Sequence, residues 1–320
     1  MKRDVITNLI IVWLLSFSLI SPILAETYWV STSGSDTNAG SSAEPWKTLQ
    51  HAAGNVLPGD TVLVENGTYT GFLQTTSGAS GSPITFKAYG TDVVIDTDPG
   101  GTFGDNIQIR AHYIIVDGFI VENAIRAGIT ALPPDGENES HGVIIRNCTC
   151  KNNYKWGIFS GYAEGIIVEN NVCYGCVDEH GIYVSNTSDN PVIRGNICYN
   201  NNTSGIQTNG YTTWGDKVIS FALIENNIVF HNNAKGLSII ATSDSVIQNN
   251  LIYENGPAAG GIHLASEGGF HSQNNVVINN TVVEPNMTAI RISSASSGNI
   301  LFNNLFISCL LYTSDAADEL

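Results

Sequence analysis

One short stretch concentrates side chains that can do chemistry. Residues 177–190 read Val-Asp-Glu-His-Gly-Ile-Tyr-Val-Ser-Asn-Thr-Ser-Asp-Asn, so Asp178, Glu179, His180 and Tyr183 surround Gly181 and Asp189 follows. Imidazole and phenol are general acid–base groups, and a neighbouring carboxylate can orient an imidazole. β-Elimination of a uronan needs a base for the proton next to the sugar carboxylate. It also needs a cation for that carboxylate and a donor for the leaving oxygen. His180 or Tyr183 is a candidate base or acid, Asp178 a candidate for orienting the imidazole, and Lys235 or Arg291 a candidate cation. Hydrolysis would need two or three carboxylates facing one groove. Asp178 and Glu179 are adjacent in sequence, which ranks hydrolysis below elimination. The structural alternative for His180 is a bend residue with a satisfied hydrogen bond.

The elements that must position these groups form a repeat. The segments IIRNCTC, VENNVCY, IRGNICY, IENNIVF, IQNNLIY, VINNTVV and LFNNLFI share Asn147, Asn171, Asn196, Asn227, Asn250, Asn280 and Asn304. Their spacing is 24, 25, 31, 23, 30 and 24 residues. A second marker puts Ile or Leu at 129, 158, 182, 206, 237, 262 and 290, usually after Gly. Such a period means a solenoid. The units are short β-branched runs broken by Gly and Asn, without helical periodicity, so each fits one coil of three short strands. The asparagines have a structural task, as bend residues in the left-handed conformation and as stacked hydrogen-bonded ladders.

From the shared Asn to the next marker the gaps are 10 to 12 residues, whereas from the marker to the next Asn they run from 13 to 21. The slack lies in loops at roughly 132–141, 209–219 and 265–275. Insertions on one face of a solenoid mark a binding face. Strand alternation after the Gly turns Thr130, Phe159, Tyr183, Gln207, Ser238, His263 and Arg291 outward along one ridge. A parallel column, Trp156, His180, Ser204 and Lys235, precedes the Gly at each bend. The candidate sugar-binding set is therefore Trp156, Gln207, Asn209, Trp214, Lys217, Lys235, His263 and Arg291, with Tyr211 also in the loop. Aromatic faces suit sugar rings, and the cations suit carboxylates.

The ends and the bulk composition bound the setting. Residues 1–25 have a charged start, an apolar run and a small residue at Ala25, and read as a cleaved secretory signal, so a secreted chain without stable membrane insertion is expected. The net charge of -16 and the lack of a basic stripe exclude nucleic acid as a partner. An acidic polysaccharide would need a local basic cleft or a bridging divalent cation. The six cysteines, at 148, 150, 173, 176, 198 and 309, read as small core residues. Residues 26–90 form an N-terminal cap and the first coils, with a helix over Pro45 to Asn55, and coils run over 91–308. The tail, 309–320, falls outside the repeat. A monomer is expected.

The opening YWVSTSGSDTNAG…PWKTLQHAA…LPGDTVLVENGTY and the run HGIYVSN…NPVIRGNICYNN…GIQTNG…ALIENNI resemble secreted proteins of the pectate-lyase-like superfamily over roughly residues 27–308. The resemblance implies an all-β fold, a right-handed parallel β-helix with a short N-terminal capping helix. The superfamily holds lyases, hydrolases and epimerases. Its calcium-dependent lyases hold the ion with clustered Asp on stacked coils. Here the nearest candidates are Asp178, Glu179 and Asp189, so no metal site is assigned and Ca2+ is the one cofactor weighed. The triplet Asp178-Glu179-His180 is similar to the Asp-Pro-His of uronan epimerases, with Glu179 in place of proline. The expectation is a protein that binds and cleaves an extracellular polysaccharide. The rival is a non-catalytic carbohydrate-binding or surface β-helix.

Overall fold

The computed structural model describes residues 25–101, 103–213, 215–256 and 260–308; all but the last residue of the expected signal, Trp214, Cys309 and the tail lie outside them. The chain winds as a parallel β-solenoid whose coils each contribute three short strands. A typical coil runs through Val192–Arg194, Ile197–Tyr199 and Ser204–Asn209. Each strand pairs in parallel with its equivalent one coil on, as Val192 does with Leu223, Ile197 with Ile228 and Ser204 with Lys235. The helix α1, Leu49–Asn55, closes the N-terminal end with Leu49, Ala52 and Ala53 buried. Thr48 is its N-cap, accepting from the His51 amide at 3.1 Å. The expected start at Pro45 is therefore too early. Trp46 bridges to the strand Thr27–Val30 and fills the space against Gly40.

The inward row of each face is apolar and fully buried. Ile145, Val168, Ile193 and Ile224 line the first face, and Ile158, Ile182, Ile206 and Leu237 the third. On the second face Cys150, Cys173 and Cys198 stand in register, buried and as free thiols. The small-core reading of these cysteines holds. Outside that face, Tyr174, Tyr199, Phe230 and Tyr253 stack with ring centroids 4.8, 5.0 and 4.9 Å apart, one ring per coil.

The corners explain the Asn-Asn pairs, with one refinement. Left-handed conformation and ladder formation fall to adjacent residues. At the first corner Asn147, Asn170, Gly195, Asn226, Asn249 and Asn279 take positive φ, between 54° and 64°. The residue after each turns inward. Asn171, Asn196, Asn227, Asn250, Asn280 and Asn304 form a continuous chain, in which each amide oxygen accepts from the backbone and side-chain N–H of the Asn one coil earlier. Asn147 thus belongs to the left-handed row, and Cys148 stands at the start of the ladder, its amide donating to Asn171. A second ladder, Asn201, Asn232, Asn255 and Glu284, runs along the next corner. It escaped the sequence reading because Cys176 stands in for Asn one coil below and Glu284 above.

Two neighbouring asparagines should therefore respond differently. Asn170→Gly keeps the left-handed bend and should change stability by less than about 1 kcal/mol. Asn171→Gly strands a buried amide and carbonyl and should cost about 3 kcal/mol. Urea unfolding of the two variants checks this; equal losses would reject the division of labour.

Candidate active site on the third face

The third face carries a row of outward side chains fixed by strand pairing. Gln108, Thr130, Phe159, Tyr183, Gln207, Ser238, His263 and Arg291 occupy equivalent positions in successive coils. Behind it runs the bend column. Trp156 is followed by His180, whose carbonyl accepts from Gly157, then by Ser204, which pairs with Lys235. Most of this row is sunk rather than raised: Phe159 and Gln207 are 9 % exposed and Ser238 is fully buried, Tyr183 and His263 are half-buried, and only Arg291 in the last coil is exposed, so the ridge expected from alternation lies along a groove floor.

One end of the groove is aromatic. Trp156 stacks on Phe159 at 4.5 Å between centroids, and Tyr183 lies 5.7 and 5.5 Å from the two rings. The Arg126 guanidinium lies 4.5 Å from the Phe103 ring centroid and is held by Asp105, with Nε to Oδ1 at 2.7 Å. Glu179 braces this end from the bend, accepting from Trp156 Nε1 at 2.9 Å and Lys155 Nζ at 3.2 Å.

The other end is basic and uncompensated. Among the described residues Lys235 and Arg291 have no carboxylate within ion-pairing distance. Burial, reinforced by the charge of Arg291, lowers the Lys235 pKa. His263 is pushed down to about 4 by burial and then by Lys235 and Arg291, so it is neutral at physiological pH. Among the described residues the buried His263 Nδ1 and Ser238 Oγ have no hydrogen-bond partner. Tyr183 sits between the two ends. Burial raises its pKa, and the charges of Glu267 and Glu179 add to that, against partial relief from Ser185 and Gln207. Its phenol stays protonated well into the alkaline range.

His180 does not have the freedom a general base needs. The Ser204 amide donates to its Nδ1 at 3.2 Å, and the Thr203 hydroxyl lies 2.6 Å from the same atom. A backbone N–H can only donate, so Nδ1 presents its lone pair and the proton of the neutral ring is on Nε2. Burial, with Lys235 adding, drives its pKa to about 3. His180 is thus a bend histidine with its one acceptor nitrogen occupied. The carboxylate beside it is Glu179, 3.6 Å from Nε2, and not Asp178. Asp178 instead faces Lys155 at 3.9 Å. The sequence reading weighed Glu179 as a carboxylate for calcium and gave the place beside the imidazole to Asp178, because strand alternation does not set side-chain direction at a bend.

The slack loops converge beside this groove. Asn209 donates to Glu267 at 2.7 Å, and Gly268 lies against the Tyr211 ring. Lys217 lies over the Phe270 ring, 5.3 Å from its centroid. Asn209 and Lys217 therefore tie the 209–219 loop to the hairpin at 266–271, which occupies groups expected to meet substrate. Trp214 lies outside the described residues. The calcium candidates are not brought together. Asp178 and Glu179 flank Lys155 at one end of the strand Ile182–Ser185, and Asp189 accepts from the Ser220 amide beyond its other end. Among the described residues no group of three or more His, Cys, Asp or Glu side chains is placed to hold a metal ion. These donors do not fit calcium.

The histidine geometry has a measurable consequence. An unfolded His180 would titrate near 6.5. Between that value and its folded pKa of about 3, only the unfolded chain takes the proton. Stability should fall as pH drops from about 6.5 towards 3. His180→Asn, which keeps an acceptor, should flatten that slope in acid titrations of Tm. Some slope should remain from His263, which is depressed in the same direction. An unchanged slope would mean that the ring is solvated.

Comparison with known proteins identifies the fold. A family model described as the Pel9A-like, right handed beta helix region matches residues 28–188, and one described as right handed beta helix region matches 219–306. The uncharacterized protein YwoF of Bacillus subtilis (strain 168) is 27% identical over 214 residues, 59% of this chain and 45% of that protein. Pectate lyase PEL9 of Emericella nidulans is 35% identical over 89 residues, 27% of this chain and 22% of its own. The chain thus spans less than half the length of these relatives. Among solved structures, pectate lyase Pel9A superposes with a TM-score of 0.57 at 17% identity, over 88% of this chain and 77% of its own. An alginate lyase from Paenibacillus sp. str. FPU-7 gives 0.61 at 19%, over 88% and 97%. A lacto-N-biosidase from Eubacterium ramulus gives 0.59 at 15%, over 88% and 68%. At these identities the superpositions show the fold, shared by enzymes of different reactions. With half of its length matched by the first description and the later coils by the second, the chain belongs to the Pel9A-like right-handed β-helix proteins of the pectate-lyase-like superfamily.

Proposed function

We propose that this chain is an exported protein that binds an acidic polysaccharide along the third face and cleaves it by β-elimination. The observation that carries this reading is the pair of uncompensated cations, Lys235 and Arg291, facing one groove in a chain of net charge -16. Lys235 is half-buried and Arg291 exposed, and a half-buried cation such as Lys235 without a carboxylate partner is costly unless a ligand supplies one. Arg291, two coils beyond Lys235, holds the carboxylate of the next uronate along the groove. Lys235, its pKa lowered, is the base: its neutral amine removes the proton next to the carboxylate of the uronate at the cleaved bond. The glycosidic C–O bond at the next carbon breaks as the carbon–carbon double bond forms. Tyr183, still protonated, gives its proton to the leaving oxygen. One coil, carrying Gln207, separates Tyr183 from the coil of Ser238 and Lys235, so the scissile bond would lie over Gln207. Trp156 and Phe159 support the neighbouring sugar. The base role falls to Lys235 because the His180 acceptor nitrogen is occupied.

A second reading has its own support. The sealed His180 and the scarcity of free acids on the strands suit a module that binds without cleaving.

The test incubates the full chain with polygalacturonate and alginate and follows ultraviolet absorbance of unsaturated uronate together with reducing ends. Lys235→Ala and Tyr183→Phe should each lower the rate by about 10²–10⁴-fold. The rate should climb with pH as the Lys235 amine loses its proton, and fall only where Tyr183 ionises above its ordinary range near 10. Reducing ends without absorbance would replace elimination by hydrolysis. Retention on a uronan with neither signal would favour the binding module.

A further inference from the structure

A second concavity opens where the third face ends. It has a volume of about 730 Å³, within the range of small-molecule pockets, and lies between the 132–139 loop, Tyr162, Thr187 and Gly215. Its chemistry is opposite to that of the groove. Leu132, Pro133, Pro134 and Tyr162 give it an apolar wall. Its one lining cation, Arg110, is neutralised by Asp135 at 3.0 Å. Glu137 is held by His112 at 2.8 Å, and Glu139 has no cationic partner among the described residues. Asp189, Asp216 and Glu164 add negative charge at the same corner: burial first, and then the charges of Asp216, Glu164 and Glu139, raise the Asp189 pKa against the hydrogen bond from Ser220. The two sites adjoin. A Cβ built on Gly161 would lie 2.9 Å from Asn186 Nδ2, 3.4 Å from the Leu132 side chain in the cavity and 3.6 Å from the Phe159 ring in the groove. Gly161, the last residue of the strand Trp156–Gly161, therefore sits between the aromatic end of the groove and the cavity, within side-chain distance of both. The Tyr162 hydroxyl, 2.7 Å from Thr212 Oγ1, fixes the cavity wall to the 209–219 loop.

We infer that the corner cavity is a subsite for an uncharged sugar, so that the ligand is a mixed polysaccharide with uronate in the groove and a neutral branch or neighbour in the cavity. The apolar wall meets the C–H face of a pyranose, while Glu139, Asn138 and Thr187 accept from hydroxyl groups. A uronate placed there would face carboxylates with no free cation. The inference deepens the proposed function and rests on it for the uronate half alone.

The test uses three probes: a uronan carrying neutral galactan side chains, the same polymer after enzymatic removal of those chains, and free galactan oligosaccharide. Affinity is measured by calorimetry with the full chain. The branched polymer should bind roughly tenfold more tightly than the debranched one, the difference given by a few added contacts. Leu132→Trp, which fills the cavity, should remove that preference and leave the debranched affinity unchanged. Glu139→Gln, at an exposed position that folding tolerates, should reduce it. Equal binding of both polymers overturns the subsite and leaves the groove reading intact. Binding of free galactan that Leu132→Trp abolishes, with no binding of the debranched uronan, supports the cavity and removes the groove reading. Binding of none of the three overturns both.

Discussion

The structure depends on how a parallel coil turns its corners. Every bend takes a backbone out of the strand ladder, and the amides and carbonyls there are buried. The Asn ladder resolves this by giving each corner amide a side-chain oxygen from the next coil, while each Asn Nδ2 donates to a strand carbonyl of the coil before, as Asn196 does to Val168. The bond runs along the solenoid axis, so it also sets the coil-to-coil register. Once the ladder is in place, the outward row on the third face is fixed without any interaction among its own side chains. That arrangement allows the cations Lys235 and Arg291 to stand near one another, with the neutral His263 between their coils, although like charges would separate in water.

Much of this was legible in the sequence, for a physical reason. A solenoid repeats its local solution, so one interpreted coil explains the rest. The Ile or Leu after Gly marked the inward row, and the residue after it marked Phe159, Tyr183, Gln207 and His263 in the observed register. The paired asparagines were visible, although the two tasks of the pair were not, because both residues are Asn in most coils. Pro45 pointed to a helix start, but the chain first uses Trp46 in a bridge and begins the helix only after Thr48.

What escaped the sequence reading depends on direction and depth. Whether the third-face row stands proud or lies in a groove is decided by the loops around it. Those loops meet through Asn209 with Glu267 and Tyr211 with Gly268, contacts between segments more than fifty residues apart. The same holds for His180. The sequence supplied an imidazole beside carboxylates, a pattern that suggests catalysis. The fold turned its acceptor nitrogen onto a backbone amide one coil later. A residue type therefore constrained the chemistry less than the count of free lone pairs did.

The column Cys150, Cys173 and Cys198 sets an order of events. Three thiols one coil apart are sealed inside the stack, where burial, and for Cys150 first its hydrogen bond with Cys173, raises the pKa of the first two and disfavours the thiolate that oxidation requires. Oxidants can reach them only before the coils close. In an oxidising compartment their survival as free thiols becomes a race between stacking and disulfide formation, which coil closure must win in the middle of the chain.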